Sequence, residues 1–312
     1  MKTLLITDLH LNSRVRGLLD AQCKCILDIF QKEKPQEVII MGDVFMYRKP
    51  SPSELITFKK ILDRMIGAEI VVLRGNHDSE TKADDGITAL SLYKKLGVVI
   101  ITQTQTDHKR KRVYIPHYEN EKTITTALEM APEDYTVFGH FGYVGSLNSA
   151  GDADFGIKLS NFNNPTFLGH VHCFCERQGG LREPRPTITC LGTPYTTNFG
   201  EAFKDNFYAI FEDEDYTLHT PDHGPRHLVY TAEDIEYHLE DINDQNYFTF
   251  LRVMVGADHH PIPYDKIKAA HVDVKYSPVF NEEEISTYTP ERDLFSINDM
   301  IISDYVEEAN SI

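Results

Sequence analysis

Five short apolar runs in this chain each end in a polar cluster that opens on Gly or Asp. The runs are Thr3 to Ile6, Val38 to Met41, Ile70 to Leu73, Thr136 to Phe138 and Thr166 to Leu168. The clusters are Asp8-Leu9-His10, Gly42-Asp43, Gly75-Asn76-His77-Asp78, Gly139-His140 and Gly169-His170-Val171-His172. Within them Asp8, His10, Asp43, Asn76, His140, His170 and His172 form a mixed nitrogen and oxygen donor set. Such a set suits Mn²⁺, Fe²⁺ or Zn²⁺ better than Mg²⁺ or Ca²⁺, which prefer oxygen. Seven donors exceed one tetrahedral ion but suit two ions that share a bridging carboxylate. Paired ions about 3.5–4 Å apart clamp the attacking and leaving oxygens of an in-line phosphoryl displacement. Residues two apart on a strand point to one face, which accounts for His170 with His172 and for Asp8 with His10.

To converge, these clusters need strand ends side by side on one sheet edge. Short β-branched runs suit buried strands, and helical spacings fall between them. Residues 14–34 carry Val15, Leu18, Leu19, Ile26, Leu27 and Phe30 at helical intervals, closed by Pro35. Ser53 is expected to cap a second helix through Met65, and a third is expected over Gly86 to Leu96, before a strand Val98 to Ile101. This alternation predicts a largely parallel sheet with helices on its faces. After residue 180 the pattern turns β-rich (Thr187 to Leu191, Phe207 to Phe211, Tyr216 to His219), which predicts a second sheet packed on the first. The fold class expected is an α/β sandwich of two mixed sheets flanked by helices, with a small C-terminal α/β domain. Pro221 to Pro225 reads as a linker or surface loop, Phe248 to Val255 as a strand and Tyr264 to Ala270 as a short helix. A boundary near residue 230 would divide residues 1–230 from a capping or partner-binding region at 231–312.

Charge is unevenly spread. The chain carries a formal −17, yet residues 1–200 hold 24 Lys+Arg against 23 Asp+Glu, whereas residues 201–312 hold 7 against 25. The metal-bearing part is neutral and its ions would add positive charge where a phosphodiester sits. The acidic third can repel non-specific DNA, dock on a basic partner or form a solvated face. No apolar stretch approaches ~18 residues, so no membrane span is expected; the first residues enter a strand directly, so no signal peptide is expected either. The five cysteines (Cys23, Cys25, Cys173, Cys175, Cys190) read as reduced thiols of a cytoplasmic protein. Cys173 and Cys175 follow the last histidine pair, but a strand continued past His172 turns them away from it.

The ordered cluster set over about residues 1–215 resembles the calcineurin-like metallophosphoesterases. The resemblance implies one metal held by Asp8, His10 and His172, a second by Asn76, His140 and His170, and Asp43 bridging them. It implies that His77 protonates the leaving oxygen or steadies the transition state while an activated water attacks phosphorus. Asp78 either orients His77 or caps a turn. Three further segments are similar to SbcD-type DNA nucleases: Gly42-Asp43-Val44-Phe45 with Pro50-Ser51-Pro52-Ser53, Ile115-Pro116-His117-Tyr118-Glu119, and Leu191-Gly192-Thr193-Pro194-Tyr195 running into Asn198-Phe199-Gly200-Glu201. The short chain and acidic tail resemble the nuclease subunit of tailed-phage recombination complexes. By that resemblance the chain is a Mn²⁺-dependent DNA exonuclease and single-strand endonuclease with two divalent ions. It would act in the cytoplasm (the host's, if phage-encoded) with an SbcC-like ATPase bearing a long coiled coil.

One departure is Met46, where many relatives carry Asp or His thought to help position DNA. Another is the short region after residue 230, which leaves duplex recognition to the partner or to homodimerisation. Lys109-Arg110-Lys111-Arg112 could contact phosphates, but a solvated hairpin tip is the favoured reading. Tyr195 and Phe199 either stack on bases or pack in the core. His117 could touch substrate, although an edge-strand histidine satisfied by backbone is favoured. Ser296 can cap a final helix with Ile297, Met300, Ile301 and Tyr305 on one face, docking on the ATPase or closing its own domain. The rival functions are a small-molecule or phosphoprotein phosphoesterase, and a catalytically dead scaffold that retention of every ligand argues against.

Overall fold

Strands whose residues are buried throughout must have neighbours on both edges and cover on both faces, and this condition shapes the molecule. In the computed structural model, residues 1–146, 156–181, 183–202, 204–212, 215–256 and 260–276 are described. β1 (Thr3–Ile6), β2 (Glu37–Ile40), β3 (Glu69–Leu73) and β4 (Val99–Ile101) pair in parallel in that order. A second sheet holds β5 (Gln105–Asp107), β6 (Arg112–Ile115), β7 (Thr136–His140), β8 (Thr166–Gly169), β9 (Cys175–Gln178) and β10 (Thr187–Cys190), in the order β5-β6-β7-β8-β10-β9. Its central strands β6, β7, β8 and β10 are parallel.

The second sheet therefore starts at residue 105, well before the β-rich stretch that seemed to announce it. Of the late strands only β10 joins it. β11 (Tyr208–Glu212) and β12 (Asp215–His219) return to the first sheet, β11 lying antiparallel to β1 with Phe211 opposite Thr3. The reason is burial: Leu4, Leu5 and Ile6 are 0% exposed, so β1 cannot be an edge. The two sheets meet through Leu5, Ile39, Met41, Leu73, Tyr114, Phe138, Phe167 and Phe211.

Helices cover the outer faces. α1 (Leu18–Glu33) and α2 (Pro52–Arg64) lie over the first sheet through Cys23, Ile26, Ile29, Phe58, Ile61 and Leu62. α1 begins at Leu18 because Gly17 takes a left-handed φ of 85°. Ser51, not Ser53, caps α2. Its hydroxyl accepts from Glu54 N at 3.3 Å and the Glu54 carboxylate accepts from Ser51 N at 2.7 Å, a capping box with Pro52 at the first helical position. The third helical segment is a 3₁₀ helix, Ala89–Leu96. α3 (Glu121–Met130) covers the second sheet.

A smaller all-parallel sheet follows: β13 (Gly224–Thr231), β14 (Tyr247–Val255) and β15 (His271–Tyr276). It takes in residues on both sides of position 230, and the expected loop Pro221 to Pro225 gives way to strand at Gly224. The helix expected over Tyr264 to Ala270 is only a 3₁₀ turn, Tyr264–Lys266, because Ala270 N bonds to Thr249 O at 2.9 Å and draws the chain into β15. The Ser296 helix and the acidic Glu282 to Glu284 lie outside the described residues. Among the described residues no helix is long and apolar enough to cross a membrane.

Candidate metal centre

β1, β2, β3, β7 and β8 all deliver their C-terminal ends to one edge of the sandwich, and each ends in or is followed by one of the five clusters. The turns are tight enough to force unusual backbone. Asp8, His10, Asp43 and His170 take positive φ (53°, 42°, 50° and 75°) although none is glycine. Such conformations cost of order 1 kcal/mol each and persist where function over-determines them. Glycine is required at two neighbours: a Cβ on Gly75 would lie 2.0 Å from Asp43 Oδ1, and one on Gly42 would lie 2.3 Å from His140 Nδ1.

All seven expected ligands come together, in two groups. In the first, Asp8 Oδ1 lies 3.7 Å from His10 Nε2 and 3.5 Å from His172 Nε2, and the two nitrogens face each other at 3.1 Å. In the second, Asn76 Oδ1 lies 3.1 Å from both His140 Nε2 and His170 Nδ1. Asp43 faces both, with Oδ2 at 3.8 Å from His10 Nε2 and Oδ1 at 3.4 Å from His140 Nε2. The donor atoms of the seven residues thus face one another within 3.1–3.8 Å.

The surrounding contacts fix the outward atoms of Asp8 and His140. Asp8 Oδ2 accepts from Thr7 Oγ1 at 2.6 Å and from His170 N at 3.0 Å, while the buried Oδ1 has no hydrogen-bond partner. His140 Nδ1 donates to Met41 O at 2.6 Å, which directs Nε2 inward. A carboxylate oxygen orphaned in the core is costly unless a cation meets it, so the residues fit a metal pair. Protonation tells the same story. Burial works against charge here, yet the facing imidazoles hold Asp8 and Asp43 well below the usual carboxylate range. Against the same burial, Asp43 and Asp8 push His140 up to about 9, and bonds to Asp8 and Glu201 push His172 up to about 10.

His77 is half-buried at the edge of the group, its ring edge-on to His10 at 5.0 Å. Its main-chain N donates to Asp43 Oδ1 at 2.8 Å and its Nδ1 donates to Met46 O at 2.6 Å. The Met46 side chain has no polar part to play, but its carbonyl holds the His77 ring and leaves Nε2 with the lone pair. Asp78 does not touch His77. It accepts from Gly75 N, Val44 N and Phe45 N at 3.0–3.3 Å, clamping two of the turns, and burial beside Asp43 pushes its carboxyl up to about 6.

With this geometry established, residues 1–263 match the calcineurin-like phosphoesterase family. The chain belongs to it. This phosphoesterase is accordingly a metal-dependent enzyme of a family that uses a divalent metal pair. A solved structure of YfcE, a phosphoesterase from E. coli, is similar at 16% identity and a TM-score of 0.36, over 70% of this chain and 93% of that one. No curated protein matches significantly.

Other candidates resolve differently. His117 is not on an edge strand, and backbone does not satisfy its ring. Both nitrogens are buried without hydrogen-bond partners, Nε2 lies 3.8 Å from Glu119 Oε1, the ring lies 6.2 Å from that of His170, and burial together with His140 and His170 pushes its pKa down to about 3. The Lys109 to Arg112 stretch is a hairpin turn at the end of the sheet away from the metals. Arg110 pairs with Asp107 and Glu69, Lys111 with Asp134, and Arg112 with buried Glu37. Tyr195 is core, its hydroxyl bonded to Leu9 O. Phe199 is half-buried between His227 (4.8 Å) and the Arg252 guanidinium (4.0 Å). Among the described residues no group of potential metal ligands includes a cysteine.

Sequence reasoning missed Glu201 as an individual site residue. Its Oε1 accepts from His172 Nδ1 at 2.7 Å, and it also takes bonds from Thr197 N at 2.6 Å and Asn198 Nδ2 at 2.8 Å. A carboxylate behind a metal-binding histidine fixes its tautomer and raises its basicity. The available signal was the Asn198-Phe199-Gly200-Glu201 segment itself.

Proposed function

We propose that this phosphoesterase is a DNA nuclease of the SbcD type, an exonuclease and single-strand endonuclease using two Mn²⁺ ions. The observation that carries the reading is Glu201. The Asn198-Phe199-Gly200-Glu201 segment, which resembles the one in those nucleases, reaches His172 at 2.7 Å and so belongs to the working site rather than to a passive loop. The rim supports it too. Ser13 and Ser51 join the loops after Asp8-Leu9-His10 and Gly42-Asp43 at 2.8 Å, and between them the Arg14 guanidinium lies 3.6 Å over the Tyr47 ring. A cation on an aromatic face suits phosphate and base together.

In this reading Asp8, His10 and His172 would hold one ion, Asn76, His140 and His170 the other, and Asp43 would be shared between them. The ion pair supplies polarisation of the phosphoryl group and activation of water. His77, held through Nδ1 by Met46 O, keeps Nε2 free to take up a proton, and as an imidazolium it then delivers that proton to the leaving oxygen. DNA is the substrate, an SbcC-like coiled-coil ATPase is the partner, and a homodimer contributes to duplex binding.

The test is incubation of the purified protein with end-labelled duplex and single-stranded DNA in Mn²⁺, beside a His77→Ala variant and with bis-p-nitrophenyl phosphate as a generic diester. Degradation of DNA that the variant lacks is the expected result. Hydrolysis of the generic diester with none of DNA, even with the ATPase added, would instead favour a small-molecule or phosphoprotein substrate.

A further inference from the structure

Outside the metal centre, one pair of nucleophilic side chains is brought together by strand register. Cys190 on β10 lies directly opposite Cys175 on antiparallel β9. Residues so placed have Cα atoms about 4.5–5.5 Å apart, inside the ~4.4–6.8 Å that a disulfide spans. Tyr143 Oη stands 3.4 Å from Cys175 Sγ, within hydrogen-bond reach of it. β9 is the outer strand of its sheet and Cys175 is half-buried, whereas Cys190 is buried behind it. One sulfur is thus reachable and the other waits next to it.

We propose that Cys175 and Cys190 are a redox modification site that closes into a reversible disulfide, with Cys175 as the attacking thiol and a hydroperoxide as oxidant. The neighbouring Cys190 thiol pulls the Cys175 thiol down to about 6; burial opposes this, and Tyr143 and Arg177 assist it. A low-pKa, accessible thiol beside a resolving one is the arrangement such chemistry needs. The Cys175 thiolate attacks a peroxide oxygen, the O–O bond breaks, and the departing hydroxide or alkoxide takes a proton. The resulting sulfenic acid is attacked by the Cys190 sulfur. The S–O bond breaks, and hydroxide leaves with the Cys190 proton as water. Two electrons pass from the dithiol to the peroxide.

The cross-link would join the chain leaving His172 to the chain entering Gly192 and Thr193, where Thr193 N contacts His172 O at 3.4 Å. Redox state would then stiffen the segment under the last ligand, whatever the substrate.

The experiment treats the whole protein with stoichiometric hydrogen peroxide, counts thiols in denaturant and maps peptides by mass. The expected result is loss of two of the five thiols, one Cys175–Cys190 cross-linked peptide, and full recovery with dithiothreitol. Cys175→Ser should abolish the cross-link, and Cys173→Ser should leave it intact. Persistence of all the thiols, a Cys173–Cys175 bond, or oxidation of Cys175 to sulfinic acid without cross-linking would each overturn the proposal.

Discussion

Glu201 follows His172 by 29 positions, yet its carboxylate holds that ring at 2.7 Å. Against burial, the bond to His172 also keeps Glu201 below the usual carboxylate range. The pair acts as one unit: a fixed Nδ1–H presents Nε2 to the first ion site with more basicity than a free imidazole has. Glu201→Gln keeps the shape and an acceptor oxygen but removes the charge. Metal affinity should fall about 10–100-fold, read by competition with a chromophoric chelator, while the circular dichroism stays unchanged. An affinity within twofold of the parent would reduce Glu201 to a loop-packing role. The convergence of the seven expected ligands was legible because each stands within a few residues of its own strand end, so local spacing carries the information. Glu201 was not, since its role depends on a contact that no local pattern encodes. Nor was the anchor of His77, a main-chain carbonyl that any residue at position 46 would supply.

Arg112 opens β6 in the second sheet and Glu37 opens β2 in the first, so their ion pair links the two sheets at the end opposite the metals. The side chains are only 7% and 1% exposed. The guanidinium also lies 5.6 and 5.7 Å from the Phe138 and Phe211 rings. Removing one partner leaves a charge in the sandwich interior with no way back to water. Glu37→Leu should therefore cost about 3–5 kcal/mol in urea denaturation, and adding Arg112→Leu should restore much of it. A double variant no more stable than the single would show that the pair is not coupled. At this scale the helices and parallel strands were readable, because a βαβ unit is written in consecutive residues. What the sequence hid was which sheet each late strand joins. The β11 run looks the same whether it extends a new sheet or completes β1, and only the burial of β1 on every side decides.

The small sheet and the metal edge share four residues, since Asn198-Phe199-Gly200-Glu201 supports His172 through Glu201 and meets the small sheet through Phe199. His227 is central to that junction. Its ring stacks on Phe250 at 4.5 Å and stands edge-on to Phe199 at 4.8 Å, and its main-chain N donates to Thr196 Oγ1 at 2.8 Å. Burial pushes its pKa down from 6.5 to about 4, with Arg252 adding to the effect and Glu201 opposing it. The sign follows from proton uptake. Between these two values the unfolded ring binds a proton that the packed ring refuses, so the junction keeps its full stability above pH 6.5 and loses it as pH falls towards 4. The loss amounts to about 3 kcal/mol, borne locally by β13 and β14. Hydrogen exchange of the β13 and β14 amides, corrected for its intrinsic pH dependence, should accelerate over that window in the parent and much less in His227→Phe, which keeps the stacking without the titration. Equal acceleration in both would show that His227 is not the source of the acid sensitivity and that the junction is indifferent to its titration.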